Sequence, residues 1–107
     1  MDEETINLAY AEYRLRRKML FDTSQEVVDA KIALETKKNW AVNNNMIDGK
    51  NETERKGQMA EATKVEMFAL DIAERKYSEV QFFFDLASYG VAHAKLLVQF
   101  LSLSQGE

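Results

Sequence analysis

The sequence predicts an all-α fold, a long antiparallel helical hairpin with one helix over about residues 3–44 and a second over about residues 52–103. Three observations carry this expectation. Proline is absent from all 107 residues, so nothing bars an uninterrupted helix. Turn-forming residues gather in one stretch only, residues 43–55. On each side of that stretch the apolar residues recur with helical spacing. A chain of this length forms one domain, residues 1–107.

In the first helix, Asp2, Glu3 and Glu4 put negative charge where a helix N-terminus favours it. An apolar stripe follows at Ile6, Tyr13, Leu20, Val27, Leu34 and Ala41, spaced by seven throughout, and Ala9, Tyr10, Ala30 and Ala33 widen it in places. The companion positions four residues after stripe members are Arg17, Ser24, Lys31 and Lys38. The stripe is therefore a narrow one of coiled-coil type, which needs a wider partner. Residues 22–24 carry a signal for a break, because Thr23 and Glu26 have capping-box spacing. The unbroken heptad phase favours continuity.

The corner explains most of its own residues. Three consecutive asparagines favour turns over helix. Gly49 suits a positive φ just past the helix end, Asn51 is an N-cap, and Glu54 can reach back to the Asn51 N–H. Met46 and Ile47 are apolar plugs for the end of the seam, and Arg55 is predicted to bond the carbonyls that end the first helix. A lone glycine before Lys50 is not a phosphate-binding P-loop, which needs a longer Gly-rich stretch after a strand.

In the second helix the apolar face reads Val65, Phe68, Ala69, Ile72, Ala73, Val80, Phe83, Ala87, Val91, Ala94, Leu97 and Leu101. Residues 80–103 are apolar nearly all round, and a two-helix hairpin cannot cover such a helix. Either the segment breaks at residues 88–90 and folds back, or a second subunit covers it. Isologous dimerisation into a four-helix bundle is the simpler solution. Its expected interface is Phe82, Phe83, Phe84, Leu86, Tyr89, Leu96, Leu97, Phe100 and Leu101. Asp85, Lys95, Gln81 and Gln99 count against a membrane span.

Composition excludes much chemistry. With no cysteine there is no thiol nucleophile, disulfide or zinc–thiolate site. His93 is the sole imidazole, lies in the most apolar segment and has no Gly-x-Ser-x-Gly elbow beside it, so no catalytic residue is assigned. Nothing points to a cofactor. Two acid pairs, Glu26-x-x-Asp29 and Asp71-x-x-Glu74, resemble half of the constellation that holds Mg²⁺ in all-helical nucleotide pyrophosphohydrolases. Gln25 and Ser24 stand where that family has a further glutamate, so no metal ligand is assigned and a carboxylate metal-dependent nucleotide hydrolase is the weakest alternative. The net charge of −4 argues against a dedicated nucleic-acid binder. A basic stripe of Arg14, Arg16, Arg17, Lys18, Lys31 and Lys38, with Tyr10 and Tyr13 beside it, supplies the candidate nucleic-acid contacts of an accessory protein in replication or recombination.

The corner also carries a resemblance. Residues 47–56, in which Gly49-Lys50-Asn51 is followed by three residues and then Arg55, resemble the interhelical turn of small phage and prophage helical-hairpin proteins of unknown function. The resemblance implies a phage-derived context, and an action through binding another protein rather than through catalysis. The N-terminus lacks the basic and apolar regions of a signal peptide, which fits the cytoplasm of a bacterial host. The expectation is a non-enzymatic interaction protein, an adaptor or inhibitor, that acts as a helical homodimer on an unidentified protein partner and away from membranes.

Overall fold

The computed structural model describes residues 2–105, with side chains through Leu103. It contains three helices in order: α1 (Glu3–Asn43), α2 (Glu52–Ala62) and α3 (Lys64–Gln105), with no strand among the described residues. The helical hairpin is the fold. α1 and α3 are its two arms, and α2 is a short helix that follows the corner.

α1 runs without interruption through Asp22, Thr23 and Ser24. The capping box of Thr23 and Glu26 does not form, because Thr23 is buried inside the helix and Glu26 pairs with Lys76 instead. At its start, Asp2 caps the helix: its carboxylate accepts from the Thr5 N–H at 2.8 Å and the Thr5 hydroxyl at 2.7 Å. The bond from the Thr5 hydroxyl, followed by that from the Thr5 amide, holds the Asp2 carboxyl below the usual aspartate range.

The far end of α1 is a Schellman cap. Asn45 takes the left-handed conformation at φ 59°, its N–H bonds the Val42 carbonyl at 3.2 Å, and the Met46 N–H bonds the Ala41 carbonyl at 3.0 Å. Asparagine is the residue after glycine that tolerates this region best, because its short amide can bond locally. The left-handed residue is therefore Asn45, not Gly49, which has no positive φ. Gly49 is needed for a different reason. A Cβ there would lie 2.7 Å from the Glu54 Cβ and 3.0 Å from the Arg55 nitrogen, so the loop can press against the first turn of α2 only with no side chain at 49.

Three bonds tie that close approach together. The Gly49 N–H donates to Gln58 Oε1 at 2.8 Å, Gln58 Nε2 donates to Asp48 at 2.7 Å, and Arg55 Nη1 donates to the Gly49 carbonyl at 3.1 Å. Arg55 thus clamps the loop and does not bond the end of α1. Asn51 caps α2 as expected, its Oδ1 accepting from the Glu54 N–H at 2.8 Å. Glu54 reaches back to the N–H of Lys50, one residue before the N-cap, at 2.8 Å.

The second arm breaks at a residue that carries no turn signal. At Thr63 both the N–H and the Oγ1 bond the Met59 carbonyl, at 3.0 and 2.8 Å, and the residue is fully buried between α2 and α3. α2 ends at this residue, and α3 restarts at Lys64. The expected break at residues 88–90 is absent. Ser88 Oγ bonds the Phe84 carbonyl at 3.0 Å and α3 continues through Gly90.

The chain forms two compact units. The first joins Met1–Asp22 to Ser78–Glu107, and the second is Thr23–Tyr77. In the first, the covered positions of α3 are Val80, Phe84, Ala87, Val91, Ala94 and Leu97, and the rings of Tyr13 and Phe84 stack with centroids 5.4 Å apart. In the second, the covered positions of α3 are Glu66, Leu70, Ala73 and Tyr77, with Thr63 just before them. Apart from Leu97, these positions repeat every seven residues, and Ser88 is half-buried beside them. The expected face at Val65, Phe68, Ala69 and Ile72 points to solvent instead, with Val65 76% and Phe68 67% exposed. A 3.6-residue face drifts by about 20° per heptad against a seven-residue repeat, so tracing it back from Val91 walks off the seam.

Of the four companion positions of α1, Ser24 and Lys38 are half-buried, while Arg17 and Lys31 are exposed and are corrected. Beside Ile6, Tyr13, Val27 and Leu34 the residues three positions on, Ala9, Arg16, Ala30 and Lys37, are half-buried as well.

Three substitutions separate these causes in urea denaturation. Gly49→Ala is expected to destabilise by between about 1 and 3 kcal/mol through the clash at Glu54 and Arg55. Asn51→Ala is expected to cost about 1 kcal/mol through loss of the cap. Gly57→Ala should stabilise by about 1 kcal/mol, because a Cβ there meets nothing within 4 Å. A fourth check is pH. Because the folded Asp2 carboxyl is depressed, its capping contribution is present above the ordinary aspartate range and is lost as pH falls through the lowered value. The protection of the Thr5 amide, its exchange rate relative to the free-peptide rate at each pH, should fall over that acid window in the native chain and show no such step in Asp2→Ala.

Candidate functional site

The helices leave two kinds of exposed surface, a basic edge on α1 and apolar faces on α3. On the basic edge, Arg14, Arg17 and Lys18 point outward. Arg16 does not belong with them. It is half-buried, its Nε bonds Glu12 at 2.7 Å, and its guanidinium lies 5.1 Å from the centre of the Phe83 ring. Among the six candidate nucleic-acid contacts it is the one used to hold the helices, by a cation–π contact and by covering apolar surface with its stem. In the second unit Lys31 is exposed, and Lys38 is half-buried and paired with Glu35 at 3.3 Å. The unassigned neighbour Lys37 lies 4.1 Å over the Trp40 ring, beside an open groove of about 410 Å³ lined also by Ala33, Thr36 and Glu66.

One member of each acid pair of the sequence is held in an ion pair. Glu26 binds Lys76 at 3.1 Å, and Asp71 binds Arg75 at 3.1 Å one turn on. Among the described residues, no three of His, Cys, Asp and Glu gather in a way that could hold a metal ion. His93 is exposed on α3.

The apolar face in the first unit is the larger feature. Taking the covered seam of α3 as heptad positions a and d, the exposed residues Phe82, Leu86, Tyr89, Leu96, Phe100 and Leu103 fall on positions c and f, on the opposite side of the same helix. Their spacing of four and three is that of a packing seam, with His93 completing the series. Helix α3 thus carries two apolar seams and has a partner on only one. Of the nine expected interface residues, Phe82, Leu86, Tyr89, Leu96 and Phe100 lie exposed on the stripe, and Phe83 and Leu101 are exposed off it. Phe84 is corrected: it is half-buried against Tyr13 and belongs to the inner seam. Phe83 covers Arg16, and Leu97 is half-buried.

Beside the stripe runs a shallow groove of about 280 Å³, lined by Ala9, Glu12, Phe83, Leu86, Ala87 and Gly90. A Cβ on Gly90 would meet nothing within 4 Å, so nothing within the chain calls for glycine there. By length and composition, Lys64–Leu103 is also long and apolar enough to cross a membrane. The outward stripe was present in the sequence as the segment that is apolar all round. Resolving it into two seams needed the phase of the covered one.

Compared with known proteins, the chain matches no family model, no curated protein sequence and no solved structure.

The division of the basic residues is testable by urea denaturation. Arg16→Ala is expected to cost about 1 kcal/mol, through the lost contacts to Phe83 and Glu12. Arg17→Ala, on the exposed side, should stay within about 0.5 kcal/mol of the native chain.

Proposed function

We propose that the protein is a non-enzymatic, phage-type interaction protein, an adaptor or inhibitor that works as a helical homodimer. The observation that carries this reading is the outward stripe of α3, an uncovered row of large apolar side chains with the spacing of a helix-packing seam. With residues 88–90 helical, the segment does not fold back to cover itself, which supports cover by another chain. A second copy packed there in coiled-coil fashion makes a four-helix assembly from two hairpins. The polar faces of α1 and α2 remain free to bind a different protein, and the turn at residues 47–56 supports a phage context. Such an assembly suits the bacterial cytoplasm and requires no cofactor or membrane.

A second reading rests on Arg14, Arg17 and Lys18, exposed together on α1. It makes the dimer an accessory protein that contacts nucleic-acid phosphates. Neighbouring acids such as Glu12 and Asp22 weaken the local field, so this reading ranks second.

Light scattering at micromolar concentration tests the leading reading. A mass of twice 12.3 kDa is expected, and a folded monomer that binds no apolar dye would contradict it. A salt series with single- and double-stranded DNA tests the second: binding that weakens steeply with salt would favour it, and no binding at low ionic strength would remove it.

A further inference from the structure

We infer that two copies of the chain pair antiparallel through the outward stripe of α3, about a two-fold axis at His93. The inference rests on the proposal that the protein self-associates, and adds the orientation, the register and the residues in contact.

The stripe is bounded. Going toward the N-terminus from Phe82, the next residue on it is Glu79, and Leu103 is its last described member, so the apolar run occupies residues 82–103. Its spacing alternates four and three, and the same alternation read backwards is three and four. Turning a second α3 end for end about His93 therefore sets layer on layer. Phe82 meets Leu103 of the partner subunit, Leu86 meets the partner's Phe100, and Tyr89 meets the partner's Leu96. His93 meets its own copy at the axis. Every apolar member of the stripe gains an apolar opposite. A shift of one heptad would set Phe100 against Glu79 of the partner subunit.

Charge selects the same orientation. Asp85 flanks the stripe and has no ion-pair partner among the described residues. In the antiparallel pair the equivalent flanks of the two helices meet, which brings Asp85 opposite Gln99 of the partner subunit, an amide that can donate to it. A parallel pair in register would instead set Asp85 beside Gly90 of the partner subunit, with no side-chain donor opposite it.

Area agrees. The exposed parts of the six apolar stripe residues amount to roughly 700 Å² per chain, close to the ~800 Å² per partner of a standard specific interface. Gly90 lies on the other flank, beside the groove next to Leu86. In this register it faces Leu97 of the partner subunit, and the missing side chain gives that leucine room. A glycine in mid-helix costs about 1 kcal/mol relative to alanine, and this close approach would account for it.

Because the chain has no cysteine, single cysteines report the geometry without background. The probe is oxidative disulfide formation in the otherwise native chain, with helicity checked by circular dichroism for each variant. His93→Cys should give a covalent species of twice the chain mass. Leu86→Cys alone should stay uncrosslinked, since the two sulfurs would lie about 20 Å apart along the axis. An equal mixture of Leu86→Cys and Phe100→Cys should crosslink. Self-crosslinking of Leu86→Cys, or of Tyr89→Cys in place of His93→Cys, would overturn the orientation or the register and leave dimerisation standing. Failure of every variant to crosslink, with a monomeric mass, would remove the self-association reading as well. Flotation of the native chain with phosphatidylcholine vesicles, with crosslinking of His93→Cys lost in their presence, would assign the stripe to lipid and overturn the inference.

Discussion

The structure depends on one constraint: two long helices that pack side by side share a single seam. The fully buried residues are small or of middle size, namely Ala41, Ala94 and Thr63, with Val80, Ala87, Val91 and Thr23 nearly so. Small side chains let two helices approach closely, and they also bury little apolar area per residue. The stability of such a hairpin therefore leans on details outside the core. Arg16 lies over Phe83, Lys37 over Trp40, and Tyr13 stacks on Phe84. The loop is pinned by bonds among Asp48, Gly49, Arg55 and Gln58. A thin core also cannot absorb every apolar side chain that the sequence supplies, and α3 supplies most of the surplus.

That surplus is ordered. Six of its members in the first unit, Phe82, Leu86, Tyr89, Leu96, Phe100 and Leu103, follow a seven-residue repeat displaced to the opposite side of α3 from the covered seam. Random apolar exposure would not hold such a phase, and one amphipathic helix needs only one such stripe. Two stripes on one helix suit an element placed between two neighbours. One neighbour is α1, and the proposal assigns the other to a second copy of the chain. This division gives adjacent residues opposite roles: Ala94 is fully buried in the inner seam, while Leu96, two positions on, is exposed on the outer one.

Much of the fold was legible in the sequence. The seven-residue stripe of α1, the cap at Asn51 and the absence of proline were sufficient for two arms and a corner. The parts that were not legible have physical causes. A heptad stripe admits companions three or four residues away, and residue type favours neither when both sets include cations. Arg16 and Lys37 occupy the seam because their aliphatic stems pack while their charged ends find a ring or a carboxylate. The break at Thr63 has no marker in the sequence, because the bond its hydroxyl makes back to Met59 is one that Ser88 also makes to Phe84 within an unbroken helix. The left-handed residue was assigned to Gly49 by habit of composition, whereas Asn45 takes it and Gly49 is kept small by Glu54 and Arg55. For the candidate surface, the apolar excess was visible in the sequence. Its division into a folding face and an exposed face was not, because that requires knowing which residues α1 covers.

The central claim is that the two faces of α3 do different work, one folding the chain and the other joining it to a second chain. Sedimentation velocity combined with far-ultraviolet circular dichroism on Ala94→Asp and Leu96→Asp tests it most directly. A charge at Ala94 enters the buried seam and should abolish most of the helicity. A charge at Leu96 enters the exposed stripe and should leave helicity intact while the chain sediments as a monomer. Loss of helicity in both variants, or a Leu96→Asp chain that remains dimeric, would contradict the account.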